Sequence, residues 1–291
     1  MKVPMKIVKL LLFLVLLGPG LLQSADVDVE KLSAYISKAR EEWGVPGLAV
    51  AIVKDGKLAL ARGYGARELG KETAVDADTL FAIASNSKAF TSAAIATLVE
   101  DGKLDWNDRV IKHLPWFQLY NRYVTEELRV FELLCHRSGL GTYSGDLLWY
   151  GTSYSSEEVV RRARFLPPSG SFRSDFGYSN LMFIAAGEVL KAASGKPWAE
   201  YVTERFFVPL GMKRTRASVR GLGKVDNVAT PHGEVMGKLV SFPWISWDSM
   251  GAAGGVISSV RDMSLWMRMQ LSRGHWDGRK YFTRESSRKM W

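Results

Sequence analysis

Leu80-Phe-Ala-Ile-Ala-Ser85-Asn-Ser-Lys88-Ala-Phe90, running on through Thr91 to Glu100, is the stretch on which the reading of this chain turns. The apolar run Leu80 to Ala84 delivers the backbone to Ser85, and Ala89, Phe90, Ala93, Ala94, Ile95, Leu98 and Val99 then recur at helical spacing. Gly102 offers a C-terminal stop. Ser85 therefore belongs at or near the first turn of a helix whose small residues allow burial on most sides. Lys88, three residues on, rises on the same face as the serine. The unpaired N–H groups and positive dipole end of the helix favour negative charge at Ser85, and a neighbouring amine can take the hydroxyl proton or stabilise an alkoxide.

The tetrad by itself is weak. Ser286-Ser-Arg-Lys289 matches it too, in a polar tail, and a helix N-cap followed by a solvated first-turn lysine explains Ser85 and Lys88 equally well.

Upstream, Val27 to Trp43 has the apolar spacing of an amphipathic helix, ended by Gly44 and Pro46. Gly47 to Val53 and Leu58 to Arg62 are two strand-like runs joined by Lys54-Asp55-Gly56-Lys57, and Asp-Gly is a strong hairpin signal. A helix, an antiparallel hairpin and then the Ser85 helix make an α+β start rather than a βαβ series.

Further upstream, Lys2, Lys6 and Lys9 precede the apolar run Leu10 to Leu22, and Gln23-Ser24-Ala25 offers small residues for cleavage. This predicts a signal peptide over residues 1–25, cleaved near Ala25, and a secreted or periplasmic product. Thirteen residues, broken by Gly18-Pro19-Gly20, fall short of the roughly 20 that span a bilayer, so no stable membrane span is expected after cleavage.

The chain has 291 residues, 47% of them hydrophobic and 24% charged, enough for one large domain over 26–291. Its formal charge of +9 falls to +6 without residues 1–25, which hold three lysines and no acid. The basic residues are scattered, with Arg161-Arg162-Ala-Arg164 the densest group, and no stripe with interleaved aromatics marks a nucleic-acid surface. Cys135 is the only cysteine, so no internal disulfide is expected. Its apolar neighbours predict a small buried residue. The ten tryptophans include Trp43, Trp198 and Trp266 in helical patterns, which reads as packing.

Downstream of the central helix, residues from about 101 to 170 alternate short helical pieces and loops, including Val130 to His136 and a capping-box-like Ser155-Ser-Glu-Glu158. They predict a helical subdomain beside the sheet. Leu181 to about Ala193 and Trp198 to Phe207 read as helices, Gly251 to Ile257 as a glycine-rich strand, and Val260 to Leu271 as a last clear helix.

Just before Leu181 stands Tyr178-Ser-Asn180, the single Tyr-x-Asn of the chain. A tyrosine phenol has an unperturbed pKa of about 10, and a nearby ammonium favours its phenolate, which could accept the serine proton. Asn180 offers a donor and an acceptor for a substrate amide or for the lysine; capping of the following helix is its structural alternative.

Together, Ser85-x-x-Lys88 and Tyr178-x-Asn180 resemble the first two motifs of class C serine β-lactamases and of the related penicillin-binding proteins, DD-peptidases and esterases. Leu134-Cys-His-Arg-Ser-Gly-Leu140 is similar to that group's His-Thr-Ser-Gly-Leu segment. Glu188 to Met212 and Gly251 to Leu271 are similar to later segments, in order. The resemblance implies a DD-peptidase/β-lactamase-like antiparallel sheet flanked by helices. It also implies acyl transfer through a Ser85 ester to a β-lactam, D-amino-acid peptide or simple ester, without metal or cofactor. Ser85, Lys88 and Tyr178 would be catalytic and Asn180 substrate-binding.

For Lys88 to act as base near neutral pH its pKa must fall by roughly 3 units, about 4 kcal/mol. Lys88 and Tyr178 would titrate as a coupled unit, so either can be the base. The family's third motif, Lys-Thr-Gly or His/Trp-x-Gly on a late strand, finds no match after Gly251, and His232-Gly233 comes too early. The expectation is a C-terminally incomplete chain. A non-catalytic envelope or penicillin-binding protein on the same scaffold is the competing reading, since one wall of the site is not in this sequence. Neither a Gly-x-Ser-x-Gly elbow nor a His-Glu-x-x-His zinc pattern occurs among its residues.

Overall fold

The computed structural model describes residues 28–290. The signal peptide read over residues 1–25 lies outside them.

The first helix, α1 (Val29–Glu42), begins where the Asp28 carboxylate accepts the Lys31 N–H at its N-cap. It lies against a two-stranded antiparallel sheet of β1 (Gly47–Lys54) and β2 (Lys57–Gly65). Asp55 and Gly56 form the two-residue turn, both with positive φ (51° and 71°), the backbone twist that a tight hairpin needs and that Asp-Gly supplies. A bulge between Ile52 and Val53 shifts the register from Ile52↔Leu60 to Val53↔Leu58.

β3 (Phe81–Ala82) leads through a 3₁₀ turn, Ala84–Asn86, into α2 (Ser87–Glu100). Phe90, Ala93, Ala94, Ile95, Ala96 and Leu98 of α2 are fully buried, so this helix is surrounded rather than half-solvated. Its small residues let neighbouring backbones approach.

Between 101 and 170 come α3 (Val110–His113), α4 (Arg122–Glu127), a 3₁₀ segment at Val130–Leu134 and α5 (Ser156–Arg162). Ser155 caps α5 by accepting the Glu158 N–H. Val110, Leu114, Phe117, Leu128 and Leu133 from this region join the same hydrophobic core as α2. The three arginines of the densest basic group stack on Trp116, Tyr154 and Phe165, and Arg161 and Arg162 also pair with Glu157 and Glu158 one turn earlier.

α6 (Asn180–Ser194) closes with Gly195 in the left-handed conformation. The run from Trp198 is not one helix: α7 (Trp198–Val202) passes through a π turn, Thr203–Phe207, into α8 (Val208–Leu210). A hairpin, β4 (His232–Val235) with β5 (Lys238–Ser241), follows.

The glycine-rich run is corrected by the structure. Gly251–Gly254 is a helical turn, α9, and only Ile257–Ser258 (β6) is strand. The turn fits between α2 and α6 because a Cβ on Gly187 would lie 2.7 Å from that of Ala252. β6 then pairs antiparallel with β3, Phe81↔Ser258 and Ala82↔Ile257.

α10 (Val260–Leu271) packs on β1 and β2, and β7 (His275–Trp276), β8 (Arg279–Lys280) and α11 (Arg284–Met290) complete the described chain. All four strand pairs among the described residues are antiparallel, so the fold is α+β. None of the described helices is long and apolar enough to cross a membrane.

Two packing expectations fail. Cys135 is exposed, its thiol donating to the Phe131 carbonyl at 3.2 Å, because it stands past the buried 3₁₀ turn as its C-terminal cap. Trp43 is also exposed, at the very end of α1, whereas Trp198 and Trp266 are core residues.

Candidate active site

The tight entry into α2 places Ser85. Ile83 N–H donates to the Val256 carbonyl at 3.0 Å, extending the β3–β6 pairing. Ala84 then takes a positive φ of 46°, an uncommon backbone for a residue with a Cβ. That reversal leaves Ser85 exposed on the 3₁₀ turn, while Ser87 and Lys88 point inward. Ser87 Oγ accepts the Val256 N–H at 3.0 Å, tying the helix start to the residue that leads into β6.

Lys88 is buried, 8% exposed. An ammonium has three donors and no acceptor, and three acceptors surround it: Ala253 O at 2.8 Å, Asn180 Oδ1 at 2.8 Å and Ser85 Oγ at 3.1 Å. Tyr178 Oη lies 2.6 Å from Ser85 Oγ, and the Lys88 nitrogen sits 4.9 Å from the centre of the Tyr178 ring. The four residues singled out in the sequence thus meet, across 93 positions of chain between serine and tyrosine.

Burial pushes the Lys88 ammonium below the ordinary lysine value, with Tyr178 and the Asp146 carboxylate pulling the other way. Two of its three acceptors are carbonyl oxygens, which take N–H bonds whether the group is an amine or an ammonium. The third direction, toward Ser85, is therefore where the proton can come and go.

Asn180 does not cap α6; Ser179 does, its hydroxyl accepting the Met182 N–H at 3.3 Å. The Asn180 side chain is left for the site. Its Nδ2 donates to Asp146 Oδ2 at 2.9 Å, and a carboxylate only accepts. That bond fixes the amide so that Oδ1 faces Lys88.

Three contributors have no side-chain signature in the sequence. The Ala253 carbonyl is backbone, aimed at Lys88 by the α9 turn. Asp146 begins a short 3₁₀ turn, Asp146–Leu148, with nothing in the sequence to mark it. His136 falls in the Leu134–Leu140 segment, but its ring stacks on that of Tyr178, 4.5 Å between centroids and 28° apart, which only the fold reveals. The second Ser-x-x-Lys has no such setting: Ser286 Oγ donates to Glu100 at 2.6 Å and Lys289 pairs with Glu285. His232 is likewise committed, Nε2 accepting the Leu69 N–H at 3.0 Å.

The sequence model of the family described as Beta-lactamase matches residues 32–291. An unguisins hydrolase of Aspergillus campestris is 30% identical over 262 residues, covering 86% of this chain and 48% of that protein. A Staphylococcus aureus protein named flp is 28% identical over 261 residues, 84% of this chain and 49% of that protein. Among solved structures, the octameric penicillin-binding protein homologue of Pyrococcus abyssi superposes with a TM-score of 0.78 at 28% identity, over 90% of this chain and 59% of that one.

The fold and these matches define a β-lactamase-type domain, and the chain belongs to the β-lactamase family. It spans about half the length of the curated relatives it matches.

Proposed function

We propose that this protein is a serine hydrolase working by acyl transfer. Ser85 is the nucleophile, Lys88 and Tyr178 are the proton relay, and Asn180 holds both Lys88 and the substrate amide. The observation that carries the reading is the Ser85 hydroxyl held at once by the buried Lys88 amine at 3.1 Å and the Tyr178 phenol at 2.6 Å. A structural lysine needs no such pair of partners on an exposed serine.

In the proposed reaction Ser85 Oγ loses its proton to the relay and attacks the substrate carbonyl carbon. The relay then passes that proton to the leaving nitrogen or oxygen as its bond to the carbonyl breaks. Water, deprotonated by the same relay, attacks the ester; the acid leaves and Ser85 regains its proton. The Ser85 N–H, at the start of a helical turn, is one donor to the oxyanion.

A β-lactam, a D-amino-acid peptide or an ester fits this chemistry. The family and the names of the relatives support an amide or ester carbonyl in general. The lysine-flanked apolar run at residues 2–22 supports export to the periplasm or the medium.

The test is labelling of Ser85 by a fluorophosphonate, with turnover of nitrocefin, p-nitrophenyl butyrate and a D-Ala-D-Ala peptide in parallel. Ser85→Ala should abolish labelling and lower turnover by at least about a thousandfold. Equilibrium binding of penicillin with no acylation of Ser85 would make the protein a binder and end the hydrolase reading.

A further inference from the structure

His136 makes more contacts with the Tyr178 loop than packing requires. Its Nδ1 accepts the Ser179 N–H at 3.0 Å, and its carbonyl accepts the Gly177 N–H at 2.8 Å. Its ring lies face to face with Tyr178 and edge to face with Phe176, 5.7 Å between centroids. To reach all of these, its backbone adopts φ +58°, a conformation disfavoured for a side-chain-bearing residue and held only where surroundings over-determine it. The loop that carries Tyr178 and leads into α6 at Asn180 is thus bonded on both sides of the tyrosine by one histidine.

We propose that His136 is a positioning residue for the proton relay: the neutral ring, accepting through Nδ1, clamps residues 177–179 and so keeps the Tyr178 hydroxyl at Ser85. The idea rests on the hydrolase reading above.

The bond defines the protonation state. Nδ1 must offer a lone pair to a backbone N–H, which places the ring proton on Nε2. Protonating Nδ1 sets two donors against each other, and the clamp opens. The surroundings favour the neutral ring: burial and, secondly, the Lys88 charge hold the His136 pKa below the ordinary histidine value. Of the groups facing it, Lys88 of α2 and Tyr178 carry ionisable groups; Phe176 and Phe183 carry none.

The experiment separates the two contributions of the ring. His136→Asn keeps an acceptor oxygen near the Nδ1 position and loses the stack, whereas His136→Phe keeps the stack and loses the acceptor. Neither titrates. The rate of fluorophosphonate labelling at Ser85 is followed from pH 5 to 9 in wild type and both variants, with thermal melting to show that each is folded.

In wild type the logarithm of the rate should fall with acidification and steepen below the ordinary histidine range. Both variants should lose the steepening. At pH 8, Phe should slow labelling by about tenfold or more and Asn by less, with the concentration of half-saturation little changed in either. Independently of activity, the Ser179 amide resonance of wild type should move as His136 takes its proton.

A folded Phe variant with the wild-type rate and profile, a steepening that survives in both variants, or a Ser179 amide indifferent to pH would each overturn the proposal. A wild type that is labelled in any of those cases leaves the hydrolase reading standing. A wild type that is never labelled removes both.

Discussion

At the scale of single residues the site is an arrangement of lone pairs. Asp146 accepts from Asn180, so Asn180 presents its oxygen to Lys88. That oxygen and the Ala253 carbonyl hold two of the lysine's N–H bonds and reserve the third direction for Ser85. Asp146→Ala frees the Asn180 amide to turn its nitrogen toward Lys88, setting donor against donor. Labelling of Ser85 should slow by about tenfold or more while the melting temperature barely moves, because Asp146 is only half-buried.

On the proposed mechanism the pH dependence of acylation follows from Lys88. Its pKa is lowered by burial, so the amine becomes available at a lower pH than for a free lysine. The rate constant for acylation should rise with pH and level off below the ordinary lysine value of about 10.4. A profile still climbing at that pH would show that Lys88 is not the titrating group.

At the scale of elements, the decisive contact is α9 wedged between α2 and α6. Thr91 Oγ1 donates to the Ala252 carbonyl at 2.6 Å and accepts the Trp198 indole N–H at 2.8 Å, both buried. Replacing Thr91 with Val leaves that carbonyl and that N–H unpaired, and each buried orphan costs about 1–3 kcal/mol. Urea unfolding should show a loss of about 2–4 kcal/mol, with Lys88 less firmly held because the Ala253 carbonyl belongs to the same turn.

Phe90, one turn into α2, stacks on Trp266 at 3.9 Å and meets Phe207 edge-on at 5.3 Å. Phe90→Ala should cost about 3–5 kcal/mol on the same measurement. The hairpin, by contrast, is locally determined. Two strand-like apolar runs joined by an Asp-Gly turn mark it from local sequence alone.

At the scale of the whole molecule, stability should fall in two stages on acidification. His136 has its pKa held below 6.5 in the folded state. The unfolded chain therefore binds that proton first, and stability falls as pH drops from about 6.5 toward the folded value. Asp76, Glu100 and Asp108 have lowered pKa values, Asp108 to about 2 through Lys112, His113 and a backbone N–H. Their stabilisation is present above the ordinary carboxylate range and lost below it. Denaturant midpoints against pH should show both stages in wild type and only the lower one in His136→Asn. A first stage that persists in that variant would assign it to another group.

The surface pairs Lys38–Glu42, Arg122–Glu126 and Lys289–Glu285 are one-turn helix pairs in open solvent. They add little to either stage.

How much of this was written in the sequence depends on the range of the interaction. Wherever one segment decides its own conformation, the sequence sufficed. The helices at Val29–Glu42, Asn180–Ser194 and Val260–Leu271, the hairpin and the Ser155 cap follow from period, turn chemistry and capping. The two motifs, Ser85-x-x-Lys88 and Tyr178-x-Asn180, were visible for the same reason: each is a short spacing on one helix start.

What only tertiary structure decided is how those starts face each other. The β3–β6 pairing joins two residues to two across the length of the domain, too short to leave a periodic signal. Gly251–Gly254 became a helical turn because small residues let it enter between two packed helices. Ser179 rather than Asn180 took the cap because Asn180 found partners in Lys88 and Asp146. Cys135 came to stand past the end of its 3₁₀ turn, exposed. Local geometry fixes where a side chain stands on its own element; which lone pair meets which proton is a property of the packed whole.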